Sequence, residues 1–270
     1  MEAAARTPNT FLGVPLHRPR VAFFELASCE GCQLQILNRE ETLLDFLSLV
    51  TIDRFREAMS DRGEEYEIAF VEGSVTRPGE EERLRAIRKE AAVLVALGSC
   101  ACFGGVNRQR NHLRNPAVAS PGPEERAFPV RSLSEIVPVD LAIPGCPISK
   151  EELERVVLHV ALGKSVELPR YPVCMECRAG ENLCLFDVGD VCLGPVTRGG
   201  CRAWCPTHRV GCRGCRGPAE DANVASLLRI VRERGIPDAA ILDRLECFGG
   251  FEEHAVAIRT LLATEAIRSR

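Results

Sequence analysis

The chain has almost no lysine. Of its 34 basic residues only Lys89, Lys150 and Lys164 are lysines, and with 38 acidic residues the net charge is −4. There is thus no basic field for nucleic acid, and an arginine bias alone specifies no partner. No apolar run approaches the roughly 18 to 20 residues of a membrane span. The opening stretch MEAAARTPNTFLGVPLHRPR holds neither an apolar signal core nor a twin-arginine signal. The expectation is a soluble, cytoplasmic protein with no membrane span and no nucleic-acid partner. Internal repeats and low-complexity tracts are absent as well.

Cysteine, in contrast, is abundant: fourteen in 270 residues. A chain this long, with 46% hydrophobic residues, can build a core without disulfides. In a reducing compartment clustered cysteines point to metal.

The first two thirds reads as α/β. VAFFEL (21–26), EIAFVEG (67–73), AVLVALG (92–98) and VDLAIPG (139–145) are strand-like apolar runs. Between and after them, QLQILNREETLLDFLSLV has helical spacing through Leu34, Leu37, Leu43, Leu44 and Leu47. EEERLRAIRKEA (80–91) and SKEELERVVLHVALG also read as helices, the latter with Ser149 three residues before Glu152 as in a capping box. Such apolar strands alternating with helices predict a parallel sheet covered on both faces. From about Tyr171 to Pro218 the periodicity fails and Cys, Gly, Pro and Arg accumulate, which predicts a segment organised by metal rather than by an apolar core. Three helices, in DANVASLLRIVRERG, PDAAILDRLECFGG and EEHAVAIRTLLATEAIRS, close the chain. The expected organisation is an N-terminal extension (1–20), an α/β domain (21–170), a cysteine-rich segment (171–218) and C-terminal helices (219–270).

Placed on this frame, Cys29 and Cys32 follow the first strand, Cys100 and Cys102 the third, and Cys146 the fourth. The carboxyl ends of parallel strands share one edge, where α/β folds build sites. Cys29, Cys32, Cys100 and Cys146 can therefore converge there. The second set is Cys174, Cys177, Cys184, Cys192, Cys201, Cys205, Cys212 and Cys215. Together they make three sets of four, the complement of three [4Fe–4S] clusters, with Cys102 and Cys247 left over as small buried hydrophobes. The competing reading of the eight-cysteine segment is two structural Cys₄ zinc sites, since CMEC and CRGC are C-x₂-C knuckles. Irregular inner spacings, the ferredoxin-like Cys205-Pro206 and the third thiolate set favour iron–sulfur. His208 lies inside the segment, as a ligand or as a solvated loop residue.

FFELASCEGCQLQILN, VEGSV, GSCACFGGV, IPGCP and YPVCMEC…C…CLGPVTRGGC…CRGCRGP closely resemble the small, electron-transferring subunit of [NiFe] hydrogenases, in particular the delta subunit of the cytoplasmic NAD(P)-linked sulfhydrogenases. The likeness runs from about Val21 to Asn223 and continues more weakly through the terminal helices. It implies a flavodoxin-like domain that holds a proximal [4Fe–4S] cluster through Cys29, Cys32, Cys100 and Cys146. It further implies a distal [4Fe–4S] cluster on Cys174, Cys177, Cys184 and Cys192, and a medial one on Cys201, Cys205, Cys212 and Cys215. The cysteine before proline serves the other cluster in two-cluster ferredoxins, so Cys205 can also belong with the distal set. Implied partners are a nickel–iron large subunit, where hydrogen is split, and iron–sulfur and flavin subunits that reduce NAD(P). The chain itself is expected to perform no bond chemistry. A heterodisulfide-reductase, deazaflavin or ferredoxin partner would use a similar small subunit. The related subunit of respiratory NADH dehydrogenase has two adjacent cysteines where this chain has Cys29-Glu-Gly-Cys32, and lacks the eight-cysteine tail. Glu30 and Glu72, beside the proximal loops, are either proton-relay groups or hydrogen-bonded structural carboxylates.

Overall fold

A computed structural model describes residues 10–11, 14–15, 18–38, 49–60, 63, 65–112, 128–162 and 164–268. The chain forms two compact units, one from Met1–Cys102 with Arg131–Leu168 and the other from Phe103–Val130 with Pro169–Arg270.

The first unit is built on a five-stranded sheet: β1 (Arg20–Glu25), β2 (Thr51–Phe55), β3 (Ile68–Glu72), β4 (Val93–Leu97) and β5 (Leu141–Ile143). All pairings are parallel, in the order β2-β1-β3-β4-β5. This is the flavodoxin-like doubly wound order, whose topological switch lies between β1 and β3. Every residue of β3 and β4 is buried, as expected where helices cover both faces of a parallel sheet. Phe23 is the centre of the core, with its ring 4.5 Å from that of Phe55 and 5.0 Å from that of Phe70.

Local chemistry sets the helix boundaries. The α1 helix (Gly31–Leu37) starts after Glu30, which has a left-handed φ of 61°, and stops at Asn38. The longer periodicity through Leu43, Leu44 and Leu47 falls outside the described residues. Pro78 opens α2 (Pro78–Glu90), and the Glu80 carboxylate accepts from the N–H groups of Thr76 (2.7 Å) and Arg77 (3.2 Å). After β4 comes α3 (Gly98–Phe103). The first turn of α4 (Lys150–Ala161) is capped by Ser149, whose hydroxyl accepts from the Glu152 N–H at 3.2 Å. β2 was not anticipated from the sequence. It is an edge strand, TIDRF, whose burial increases only toward Phe55 and whose pairing with β1 shifts register between Val21 and Ala22.

The second unit contains α5 (Val173–Ala179), α6 (Trp204–Thr207), α7 (Val224–Glu233), α8 (Asp238–Leu245) and α9 (Glu252–Arg268). The expectation that metal rather than an apolar core organises 171–218 needs correction. Val173, Leu185, Phe186, Val191, Leu193 and Val196 are buried in one cluster with Leu227, Val231, Ile241, Leu245 and Phe251 of the terminal helices and their connections. Arg108 donates from Nε to Glu252 Oε2 at 2.8 Å and from Nη1 to the Val130 carbonyl at 2.8 Å, tying the start of α9 to the 103–130 excursion. No helix among the described residues is long and apolar enough to cross a membrane.

Candidate metal centre

Three thiol-bearing turns leave the carboxyl edge of the first unit's sheet. Cys29 and Cys32 follow β1, Cys100 lies in α3 directly after β4, and Cys146 follows β5 in a turn whose Cys146–Pro147 bond is cis. The Ser99 N–H donates to the Gly145 carbonyl at 2.8 Å, which joins the second turn to the third. Cys32 is buried and Cys100 half-buried, while Cys29 and Cys146 are exposed. Burial pushes the Cys32 thiol strongly up, followed by the negative charge of Glu72; Cys146 and Cys100 push it the same way, and a hydrogen bond from Ile148 opposes them. Cys32 therefore lies within the field of Cys100 and Cys146. Binding metal is what ionises such a buried thiol.

Backbone space is reserved for sulfur. A Cβ at Gly98, where φ is +84°, would lie 2.4 Å from the Cys32 sulfur, and one at Gly31 would lie 3.3 Å from that of Cys29. Glu72, the last residue of β3, is 2% exposed. Its carboxylate accepts from the N–H groups of Cys32 and Gln33, both at 3.1 Å. Of the two carboxylates singled out, Glu72 is thus hydrogen-bonded to the Cys32 loop. Burial raises its pKa and those N–H bonds oppose the rise.

In the second unit, α5 carries Cys174 and Cys177 one turn apart on one face. Cys184 precedes a short 3₁₀ turn, Leu185–Val188. The Cys174 thiol is pushed up to about 12, by burial first and then by Cys192, Cys177 and Cys184. Cys192 is raised by burial and by Cys177 and Cys184, against hydrogen bonds from the Cys212 and Gly194 N–H groups, which reach its sulfur at 3.2 and 3.4 Å. Cys174 thus lies in the field of Cys177, Cys184 and Cys192, and Cys192 in that of Cys177 and Cys184. A Cβ at Gly194 would approach the sulfurs of Cys174 and Cys192, each at 3.3 Å.

The remaining thiols are arranged less uniformly. Cys212 is raised by burial and, more weakly, by both Cys192 and Cys215, so it senses each group. Cys201 is raised by burial and by Glu176, and lowered by the buried Arg216. Cys205 sits in α6, where its carbonyl accepts from the His208 and Val210 N–H groups, both at 3.0 Å. His208 is exposed; its Nδ1 lies 2.8 Å from the Trp204 carbonyl and its ring 4.3 Å from the Trp204 ring. The two leftover cysteines, expected to be buried, are half-buried and have hydrogen-bonding neighbours. The Cys102 thiol donates to the Ala96 carbonyl at 3.8 Å, and Gln109 Nε2 lies 3.0 Å from the Cys247 carbonyl and 3.8 Å from its sulfur.

Two contributors escaped the sequence reading, Glu176 and Arg216. Glu176 lies inside the CMEC knuckle and Arg216 directly after the CRGC knuckle, and each contacts backbone well separated along the chain. Arg216, 1% exposed, donates from Nε to the Gly199 carbonyl at 2.6 Å.

The donor chemistry fits iron–sulfur groups: neighbouring thiols, glycines that leave room at sulfur, and N–H groups aimed at it. Among the described residues no three His, Cys, Asp or Glu side chains close on one point as ligands of a single ion.

Comparison with known proteins identifies the family. Residues 29–160 match the family described as NADH ubiquinone oxidoreductase, 20 Kd subunit. Sulfhydrogenase 2 subunit delta of Pyrococcus furiosus is 37% identical over 234 residues, covering 85% of this chain and 98% of that one. One chain of the vhu F420-non-reducing hydrogenase of Methanocaldococcus jannaschii is 29% identical over 270 residues, covering 83% of this chain and 93% of that one. A chain of the NAD+-reducing [NiFe]-hydrogenase, solved in its H2-reduced state, superposes with a TM-score of 0.50 at 30% identity, covering 56% of this chain and 96% of that one. The chain belongs to the iron–sulfur-containing small subunits of the [NiFe] hydrogenases, and so is one subunit of an oxidoreductase.

Proposed function

We propose that this chain carries electrons from the nickel–iron centre of a large subunit, through proximal, medial and distal [4Fe–4S] clusters, to a flavin-bearing subunit that reduces NAD(P). The observation that carries the reading is the gathering of thiols at the carboxyl edge of the sheet, in one chain with eight further cysteines. In this reading Cys29, Cys32, Cys100 and Cys146 hold the proximal cluster. Cys174, Cys177, Cys184 and Cys192 hold the distal one, and Cys201, Cys205, Cys212 and Cys215 the medial one. Each cluster supplies one-electron transfer, and the protein holds the sulfurs, limits water and tunes potential through charge and N–H donors.

The influence of Cys177 and Cys184 on both Cys174 and Cys192, and the approach of Gly194 to the sulfurs of Cys174 and Cys192, support their grouping. A zinc-stapled scaffold is less well supported. Zn–S bonds of about 2.3 Å would bring the four sulfurs of each site within about 4 Å of one another, whereas four-iron clusters seat each thiolate on its own iron.

A further partner is supported by the surface of the cysteine-rich segment, where Tyr171, Met175, Leu183, Val188, Trp204 and Val210 are exposed. Exposed large apolar side chains that adjoin one another are a mark of protein contact. The NAD(P) assignment draws on the activity of the NAD+-reducing relative. The F420-non-reducing relative matches over more of this chain, which favours as second reading a different acceptor, a heterodisulfide reductase or a ferredoxin; a deazaflavin acceptor draws instead on the likeness to a coenzyme F420 hydrogenase subunit. Purification of the native complex, identification of its subunits and assay of hydrogen-dependent reduction of each acceptor separates the two.

A further inference from the structure

Glu176 lies between Cys174 and Cys177 on α5, yet its carboxylate serves a different loop. Oε1 accepts from the Gly200 N–H at 2.6 Å and from the Tyr171 hydroxyl at 3.1 Å. Oε2 accepts from the Ala203 N–H at 3.1 Å and stands 4.0 Å from the Cys201 sulfur. The loop it grips is unusual, because Gly200, Arg202 and Ala203 have φ values of 105°, 54° and 51°. Two non-glycine residues in the left-handed region persist only where surrounding contacts over-determine them, and the two N–H bonds to Glu176 do this on either side of Arg202. Arg216 is a second charge near the same sulfur, buried and fixed through Gly199. Cys201 thus lies in the field of one anion and one cation, each tied to its own backbone.

Holding the loop depends on two acceptor oxygens, one for each N–H; a neutral amide keeps only one of them and turns an NH2 donor toward the other N–H. The charge has a separate effect. Adding an electron to a group beside a fixed carboxylate is opposed by repulsion, which the partly buried setting screens poorly. Cluster potentials follow local charge and hydrogen bonding.

We propose that Glu176 is a positioning residue whose carboxylate, locked onto the Gly200–Ala203 loop, lowers the reduction potential of the iron–sulfur group bound through Cys201. The inference rests on the cluster reading of Cys201, Cys205, Cys212 and Cys215. The Tyr171 hydroxyl moderates the effect by donating to the same carboxylate.

The test is a redox titration, followed by electron paramagnetic resonance, of the purified native complex with E176Q and Y171F in this chain and with iron counted in each preparation. E176Q, which keeps one of the two loop bonds, is expected to move the Cys201-linked potential upward in whatever fraction of the protein retains its iron. Y171F, which leaves both loop ties in place, is expected to move it downward. Full iron with an unmoved potential in E176Q, or shifts of the same sign in both variants, overturns the proposal. Should E176Q lose iron, Y171F decides alone, and an unmoved potential there overturns it. Failure of the underlying cluster reading is visible separately, as wild-type complex without iron on this cysteine group.

Discussion

The carboxylate of Glu72 at the end of β3 accepts the backbone N–H of Cys32 at 3.1 Å. A thiol loop that follows one strand is thereby held from the end of its neighbour, at the switch point of the sheet. The same carboxylate takes the Gln33 N–H, so the first turn of α1 has no freedom to swing away from the edge.

Replacing Glu72 with Ala leaves two buried N–H groups without an acceptor, at a cost of about 1–3 kcal/mol each. The expected outcome is lower denaturant stability and loss of iron from the Cys29, Cys32, Cys100, Cys146 group, with E72Q milder on both counts. Full stability and full iron in E72A would remove Glu72 from the account.

Gly98→Ala places a methyl group 2.4 Å from the Cys32 sulfur, at a φ of +84°. The backbone strain alone costs roughly 1–2 kcal/mol, and the overlap falls on a ligand. Iron analysis should show a deficit in G98A, and a smaller one in G194A, where the contacts are 3.3 Å.

Phe23→Ala removes a 1% exposed ring packed on Phe55 and Phe70, and should cost about 3–5 kcal/mol. Denaturant unfolding of the complex measures it. A loss under about 1 kcal/mol would mean that Phe23 is not the centre of this core.

Cys205→Ala tests the grouping of the eight cysteines. With Cys205 as a medial ligand, the variant should show a three-iron signal replacing the medial one while the proximal and distal signals persist. Loss of iron from the distal group instead supports the ferredoxin-like exchange.

Most of the sheet was legible because β1, β3, β4 and β5 lie in apolar runs, and their turns placed four cysteines at one edge. Thr51–Phe55 was not, since an edge strand with Asp53 and Arg54 carries no such run. Ser149 and Glu152 marked the start of α4 because capping is local. The core of the second unit was hidden for the opposite reason. Val173, Leu193 and Val196 are buried in turns and short helices, where apolar residues recur with no fixed period. Cysteine counting found the thiols but could not find Glu176, whose partners Gly200 and Ala203 lie more than twenty residues away. Nor could it separate Cys212 from Cys192, which the Cys212 N–H joins across the two groups.

The central claim is that this chain exports electrons and does not itself split hydrogen. It is tested most directly by Cys146→Ser in the native complex, assayed for hydrogen-dependent acceptor reduction and for hydrogen–deuterium exchange on the same preparation. Exchange needs only the large subunit's metals, whereas acceptor reduction needs a path out through this chain. The account predicts severe loss of acceptor reduction with exchange largely retained. Acceptor reduction left intact in the variant, or a native complex that contains no nickel–iron large subunit, would contradict it.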